Sequence, residues 1–430
     1  MITTRKLGYD FLWIDSLCIV QDDEDEWRRE CALMEHVYSS AIVTIAIEDM
    51  PRKQPPPLTQ RLTFADSKAD DSAPVSILVH GPLKSYALSQ RSSLSSRGWA
   101  LQEFLLSVRV LRCFKDRTTM ACFEGERTSD CRWIQMRADM GMPGPYPANV
   151  RKDLVMTPDH TQLIVRWYKS LAEYSARELT RDSDRFAAIA GIARIVAERF
   201  AESIKTDYLA GLWSHDIVQG LTWAMGIGSG LRERASNGSC VPSWSPLHAH
   251  GAIEFPFADF KATRYPPSLS HSPFDKPPPD HWRPAINVLS ASVVASADDV
   301  YMQVQAGVIV LEGVLICAVL HHFMVRLQGV ELEATLSPDN PSIYLHADDS
   351  IGDTKTPENA IFAVPLGRST LTAHHGQRSD MYAMCVQQVP GEEQTYRRIG
   401  ACRFHNYQGS PHEAAIEGLL RGEKQKFNLI

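Results

Sequence analysis

The sequence predicts three consecutive regions: an α/β region built on a parallel sheet, a helical region and a β-rich region. Strand-like and helix-like segments alternate at the start of the chain, apolar residues then recur at three- and four-residue spacing, and short branched or aromatic runs separated by turn residues follow. We place the three domains at residues 1–132, 133–230 and 231–430.

The α/β region begins with a predicted strand, Phe11–Ile14, which is aromatic and branched and ends at Asp15. A helix is predicted after the acidic run that follows, with Asp23 as its N-cap. Its apolar stripe is formed by Trp27, Cys31, Met34 and Tyr38. A second buried strand is predicted at Ala41–Ile47, and the order strand, helix, strand is typical of a parallel sheet.

A long irregular loop is predicted at Pro51–Pro74, which is rich in proline and polar residues. A strand at Val75–Gly81, a short helix at Trp99–Leu106 and a strand at Arg109–Phe114 complete the region.

The rest of the chain contains two helical segments, residues 162–179 and 184–204, and then a proline-rich break at Tyr265–Trp282. Strand-like segments separated by turn residues follow and predict a mostly antiparallel region. They are "NVLSASVVAS", "VIVLEGVLICAVL", "SIYLH", "IFAVPLG", "MYAMCVQQV" and "YRRIGACRF".

The composition of the 430-residue chain excludes several classes of function. A formal net charge of −7 argues against binding to nucleic acid or to an anionic membrane surface. The most apolar segment, Gly307–Leu320, is short and contains Glu312, so no membrane span is predicted. The nine cysteines and the polar start "MITTRK" predict a cytoplasmic protein with free thiols.

Common catalytic motifs are missing from the sequence. It contains no phosphate-binding P-loop, no dinucleotide-binding glycine pattern, no nucleophile elbow and no C-x-x-C pair. We therefore predict no metal site and no required cofactor.

Three stretches together identify a family: "LGYDFLWIDSLCIVQDDEDEW", "MEHVYSSAIVTIAI" and "SSRGWALQEFLLSVRVL". They resemble, in the same order, the "YLWIDSLCIIQDD" strand and turn, the helix ending "IYxxA" and the "RGWTLQERLLSxRVL" segment of the fungal heterokaryon incompatibility (HET) domain. The resemblance continues through "WYKSLAEYSARELTRDSDRFAAIAGIA", "YLAGLWSHDIVQGLTWAM" and "CVPSWSPLHAHGAIEF" to "YRRIGACRF", from about Thr4 to Phe404.

The chain departs from that family at its start. The family's domain begins upstream, with a strand resembling "YxxLSYCWG" and a helix, whereas Met1 lies just before "TRKLGY". We therefore expect an incomplete sheet that lacks its first strand and helix and exposes an unpaired edge and apolar surface. Poor solubility or oligomerisation through this region is the expected result.

The HET domain is in turn similar to the TIR domain, a flavodoxin-like fold with a central parallel sheet. NAD-cleaving TIR proteins have a "SxWCLxEL" segment with a catalytic glutamate, and Ser96, Trp99 and Glu103 occur here in "SRGWALQE". The resemblance implies a catalytic Glu103, and Trp99 would lie on the same face of a helix.

Four further residues are candidates for the same site. Asp15 and Ser16 would lie beyond the carboxyl end of a strand, where α/β folds bind ligands, and are candidate catalytic residues. Arg97 and Trp99 are candidate nucleotide-binding residues. A structural alternative exists for each: Asp15 and Ser16 could complete a turn, Trp99 could be a core anchor, and Arg97 and Glu103 could form salt bridges. Cys18 is more typical of a buried apolar residue.

Two functions follow from these resemblances. The first is a signalling and interaction module of fungal non-self recognition and regulated cell death. Its partners would be other proteins of an incompatibility pathway and further copies of the chain. The second is an enzyme that cleaves NAD as its substrate, as the TIR-like glutamate implies.

Overall fold

The computed structural model describes the chain in segments. They are residues 1–48, 59–64, 75–80, 94–114, 118–122, 125–128, 133–134, 159–225, 241–255, 282–295, 299–321, 324–327, 343–347, 361–373, 376–404, 417–418 and 420–430. The predicted proline-rich break lies outside the described residues except for Trp282, which begins a strand.

The first region contains helices and strands in alternation, as predicted. Its helices are α1 (Ile2–Lys6), α2 (Asp15–Cys18), α3 (Glu24–Ser40) and α4 (Ala100–Leu106). Its strands are β1 (Thr44–Ile47), β2 (Thr59–Phe64), β3 (Val75–His80), β4 (Arg109–Cys113), β5 (Thr118–Cys122), β6 (Gly125–Thr128) and β7 (Trp133–Ile134).

Helix α3 forms where the acidic run and the apolar stripe predict it. The Asp23 side chain accepts hydrogen bonds from the backbone N–H groups of Asp25 and Glu26, both at 2.9 Å, and so caps the helix. Cys31 and Met34 in the stripe are buried. The predicted N-cap and the buried face are both confirmed.

The sheet of this region is mixed, with the order β1-β4-β5-β6-β7. Strands β1 and β4 are parallel, with Thr44 opposite Val110, whereas β4 to β7 are antiparallel. The predicted parallel sheet is therefore confirmed for one pair only, and the flavodoxin-like and TIR-like fold stays a prediction. A separate hairpin pairs β2 with β3, so the predicted loop at Pro51–Pro74 is wrong at Thr59–Phe64.

The predicted strand at Phe11–Ile14 is wrong. Among the described residues no strand pairs with this segment, and Phe11 is 93% exposed. The Ile14 carbonyl accepts from the backbone N–H groups of Leu17 and Cys18 and starts helix α2. Asp15 therefore lies in the first turn of a short helix and not at the end of a strand. An apolar run forms a strand only when a neighbouring strand can take its backbone hydrogen bonds.

The middle region is helical, as predicted. Its helices are α5 (His160–Ser175), α6 (Ala187–Ala201) and α7 (Ile217–Gly220). Short 3-10 turns occur at Asp182–Arg185, Ser214–Asp216 and Pro246–His248. Two small hairpins pair β8 (Tyr208–Leu209) with β9 (Leu212–Trp213), and β10 (Ala224–Met225) with β11 (Ile253–Glu254).

The last region is one large sheet, which confirms the β-rich prediction. Its strands are β12 (Trp282–Pro284), β13 (Asn287–Ala295), β14 (Val304–Val314), β15 (Ile316–His321), β16 (Met324–Leu327), β17 (Ile343–Ala347), β18 (Ile361–Ala373), β19 (Gly376–Gln388), β20 (Thr395–Phe404) and β21 (Lys424–Leu429). The path is β13-β14-β21-β20-β19-β18-β15-β16. All its pairs are antiparallel except β20 with β21.

One continuous core joins the helical region to the large sheet and includes one face of α4. Leu101, Leu105 and Leu106 of α4 belong to this core, whereas Phe104 packs on the small sheet of the first region. Helix α4 therefore lies between the two parts of the molecule. No helix in the described part of the chain has the length and apolar character needed to cross a bilayer.

Candidate functional site

The candidate site centres on Glu103, in the first turn of helix α4. The helix forms because Ala100, Leu101, Leu105 and Leu106 bury one face in the main core, while Glu103 lies outside that buried set and is only partly exposed. The Ser107 hydroxyl donates to the Glu103 carbonyl at 2.6 Å and so satisfies a backbone acceptor near the helix end. The backbone carbonyl of Glu103 is thus held by a side chain of the residue that follows the helix.

Tyr38, near the end of α3, is the immediate partner of Glu103. Its hydroxyl donates a hydrogen bond to the Glu103 carboxylate. Burial raises the pKa of Tyr38 above its ordinary value and the negative charge of Glu103 raises it further, so the hydroxyl keeps its proton and remains a donor. The Tyr38 ring is held edge-on by Trp13, with ring centroids 5.9 Å apart.

Burial is also the main influence on Glu103 itself. It raises the pKa of the Glu103 carboxyl above that of an ordinary glutamate, because the charged form loses its hydration. The positive charge of Arg97 lowers this pKa, the negative charge of Asp15 raises it, and Tyr38 and Arg177 lower it. Two cations, one tyrosine and a second carboxylate therefore influence the pKa of one poorly hydrated carboxyl group.

Asp15 and Ser16 occupy the first two positions of the short helix α2, and both are exposed. The Asp15 carboxylate accepts from the backbone N–H of Ser16 at 2.8 Å. Asp15 is close enough to raise the pKa of Glu103 and of Tyr38, so this predicted residue is brought near Glu103. The contact described for Ser16 is the one that its backbone N–H makes with Asp15. Cys18 is exposed, contrary to the expected burial, and its sulfur accepts from the Ile14 N–H at 3.5 Å.

Arg97 and Trp99 are attached to the helical region. Arg97 is exposed and forms a parallel bridge with Glu178. Trp99 is partly buried, and its indole N–H donates to the Asp184 carboxylate at 3.1 Å. Its ring lies edge-on to Trp27, at 6.3 Å between centroids. The indole N–H of Trp99 is thus already hydrogen-bonded within the protein, whereas the Arg97 side chain is exposed and accessible to a ligand.

A second charged cluster lies at the carboxyl ends of the parallel strands β1 and β4. Arg112 donates through Nε to the Glu48 carboxylate at 2.7 Å, and both side chains are buried. The Ser95 hydroxyl lies 3.4 Å from Glu48 Oε2 and 3.3 Å from an Arg112 Nη atom. This buried ion pair fixes the start of the segment that carries Arg97 and Glu103.

Sequence reasoning missed two residues of the site, Tyr38 and Arg177. The sequence places Tyr38 in the apolar stripe of α3, and nothing in the sequence indicates that its hydroxyl has a polar partner. Arg177 follows the end of α5, far from Glu103 in sequence, so only the fold brings it near. The described residues contain no group of three or more His, Cys, Asp or Glu side chains arranged to hold a metal ion.

The comparison with protein families covers the first part of this region. Residues 1–103 match the family model described as Heterokaryon incompatibility protein (HET), and the match ends at Glu103. No curated protein and no solved structure matches the chain. The wider resemblance, to about Phe404, therefore stays a prediction. The N-terminal part of the chain, residues 1–103, is a heterokaryon incompatibility domain.

Proposed function

We propose that the chain acts in heterokaryon incompatibility as a signalling and interaction module of fungal non-self recognition and regulated cell death. The family match over residues 1–103 carries this proposal. Family membership supports a role in heterokaryon incompatibility, and association with partner proteins is the finer step that we propose.

The exposed apolar surface of the domain supports action by association. Eleven large apolar side chains are exposed among the described residues, and nine of them lie within residues 1–47. They include Phe11 at 93% exposed and Leu17 at 68%. Clustered exposed apolar residues are typical of protein-binding surfaces, whereas scattered single ones are ordinary.

The test compares two surfaces of the same chain in fungal cells. The variant Phe11→Ser/Leu17→Ser removes apolar anchors from the HET domain, and Leu289→Ser/Val294→Ser changes two exposed residues of strand β13 as the matched control. We expect the first variant to lose cell killing and partner capture, and the second to keep both. Equal activity of the two variants would contradict association through the HET domain.

The surroundings of Glu103 favour a second candidate function, cleavage of the N-glycosidic bond of NAD. Nicotinamide would leave with the bonding electron pair, and water would add to the positively charged ribose carbon, giving ADP-ribose, nicotinamide and a proton. An ionised Glu103 could hold ribose hydroxyls and stabilise that positive charge, and exposed Arg97 could bind a phosphate. Asp15 would help to stabilise the cation, Ser16 would hydrogen-bond the ribose, and Trp99 would shield the site from water.

The enzymatic proposal predicts a defined pH dependence. Since burial raises the pKa of Glu103 and the reaction needs its ionised form, cleavage should rise with pH at values above the usual range for a glutamate. Glu103→Gln should lower the rate by about 100-fold or more. Glu392→Gln, which changes an exposed turn residue, is the matched control and should leave the rate unchanged. An active Glu103→Gln variant would exclude a catalytic Glu103.

A further inference from the structure

The segment 96–103, which carries Arg97, Trp99 and Glu103, is bonded along its length to the helical region. Its main partner is the connection between helices α5 and α6, residues 176–186, called here the 176–186 connection. The Glu178 N–H donates to the Ser96 carbonyl, and the Gly98 N–H donates to the Glu178 carbonyl, both at 2.7 Å. These two bonds join the backbones of the two segments like neighbouring strands.

Side chains form further hydrogen bonds between the same two parts of the chain. The Arg177 guanidinium donates to the Arg97 carbonyl at 3.3 Å and to the Glu173 carboxylate at 3.3 Å. Further along, the Trp99 indole donates to Asp184. The Gln102 side-chain oxygen, which is buried, accepts from the backbone N–H of Gly191 at 3.2 Å. Polar groups from residues 177 to 191 therefore bond to five residues of the segment: Ser96, Arg97, Gly98, Trp99 and Gln102.

Close packing at Gly98 shows that the two segments fit tightly. A Cβ atom at residue 98 would lie 2.5 Å from Leu179 Cδ2 and 3.0 Å from Leu179 Cγ. Only glycine at residue 98 lets Leu179 approach this closely. A methyl group at residue 98 would therefore force Leu179 to move, which makes this residue the place to test whether the junction can be opened.

The junction also reaches the charged groups around Glu103. Arg177 is close enough to lower the pKa of Glu103, and the Arg97 backbone is held by Arg177. Trp99 contacts Trp27 of α3, the helix that carries Tyr38. Moving the 176–186 connection would therefore displace the cations, and α4 with them, relative to Tyr38.

We infer that the 176–186 connection is a regulatory element of the HET domain: the site around Glu103 is assembled only while this connection is docked on the segment 96–103. The structural part of this inference stands on the junction alone, and its consequence for activity rests on the proposed NAD cleavage. The functional unit then extends beyond residue 103, because Arg177 and Asp184 come from the helical region.

The test opens the junction in the full chain with Gly98→Ala and closes it again with Gly98→Ala/Leu179→Ala, which removes the atoms that clash. Gly418→Ala is the matched control, since a Cβ atom there meets nothing within 4 Å. We expect Gly98→Ala to speed amide hydrogen exchange in residues 97–106 by about tenfold or more, and the double variant to return it toward the wild-type rate.

A second measurement separates regulation of the site from a loss of packing. Infrared titration, with Glu103→Gln as the subtraction reference, follows the carboxyl of Glu103. Opening the junction should move its pKa toward the ordinary value, because burial is the largest cause of the raised pKa and outweighs the loss of Arg177. If Gly98→Ala fails to fold, Trp99→Phe removes the indole donor to Asp184 together with part of the ring that contacts Trp27, and should give the same changes at smaller size.

The outcomes decide the inference and the proposed function separately. The regulatory inference would be overturned if Gly98→Ala and Trp99→Phe kept the wild-type rate of amide hydrogen exchange and the wild-type pKa of Glu103. It would also be overturned if the double variant did not return toward the wild-type exchange rate. Faster exchange with a displaced pKa, both restored by Leu179→Ala, would support it. A wild-type chain that neither cleaves NAD nor kills cells would overturn the proposed function and leave the exchange result standing.

Discussion

The first region and the body formed by the helical region and the large sheet differ in how they bury apolar surface. Among the described residues, the small sheet of the first region has a core of Ala46, Val110 and Ala121, with Leu94 and Phe104 packed against it. The body has a continuous core with four tryptophans that are at most 1% exposed: Trp167, Trp213, Trp223 and Trp244. Among the described residues the body therefore buries many more apolar side chains, and burial of apolar area is the main stabilising term in folding.

Helix α4 joins the first region to the body. It places Leu101, Leu105 and Leu106 in the core of the body, while Phe104 packs on the small sheet. The first region is therefore packed on the helical region through this helix, and exposed apolar residues such as Phe11 and Leu17 stay accessible.

The largest loss of stability is expected from a substitution in the core of the body. Trp213→Ala removes a ring that contacts Phe200 at 5.0 Å and Tyr208 at 5.2 Å between centroids. We expect the free energy of unfolding to fall by about 5 kcal/mol, the upper end for loss of a buried aromatic side chain. Urea denaturation measures this, with Leu289→Ala as an exposed control. A loss below about 1 kcal/mol would show that the body does not dominate stability.

A smaller effect is expected from the buried ion pair of the first region, Arg112 with Glu48. Arg112→Met leaves the buried Glu48 carboxylate without its guanidinium, and we expect a loss of about 3–4 kcal/mol. The double variant Glu48→Leu/Arg112→Met should recover most of it, because an apolar pair needs no compensating charge. Urea denaturation of the three chains gives the comparison. If the double variant is no better than Arg112→Met, the loss comes from packing against Phe104 and Phe114.

The raised pKa of Glu103 predicts a pH-dependent stability. Burial raises its pKa in the folded chain, so the folded state keeps the proton after the unfolded state has lost it. Stability should therefore fall as pH rises from the unfolded pKa to the folded pKa, and stay level above that window. Glu103→Gln should remove this slope. Denaturation midpoints between pH 4 and pH 8 measure it, and an unchanged slope would show that Glu103 is not the group responsible.

The smallest effect on stability is expected at the exposed surface of the HET domain. Phe11→Ser should change the free energy of unfolding by less than about 0.5 kcal/mol, because the ring is almost fully exposed. The same change should reduce self-association, which light scattering measures across a concentration series. A large loss of stability would mean that Phe11 is buried in solution by another surface.

Elements with a strong local pattern could be predicted from the sequence. Helix α3 is predictable because an N-cap residue and an apolar stripe lie within one stretch of sequence. Most strands of the large sheet are predictable because they are long and rich in β-branched residues. Strand β21, "KQKFNL", was missed, since only Phe427 and Leu429 mark its buried face. Phe11–Ile14 was assigned as a strand because a single sequence does not show whether a partner strand is adjacent.

The candidate site shows the same limit. Resemblance identified Glu103, Asp15 and Arg97, and the structure brings their charges together, while their catalytic and binding roles stay predictions. Tyr38 and Arg177 could not be found, because a hydrogen bond between α3 and α4 and a charge from the helical region depend on tertiary packing.

The position of β21 has a consequence for how the protein is made. Residues Lys424–Leu429 lie between β14 and β20, and the Ile430 carbonyl accepts from the backbone N–H of Ser243. During translation, β14 and β20 therefore leave the ribosome before the strand that separates them exists. The nascent chain exposes two open strand edges until residue 429 has cleared the exit tunnel, and these edges are sites for chaperone binding.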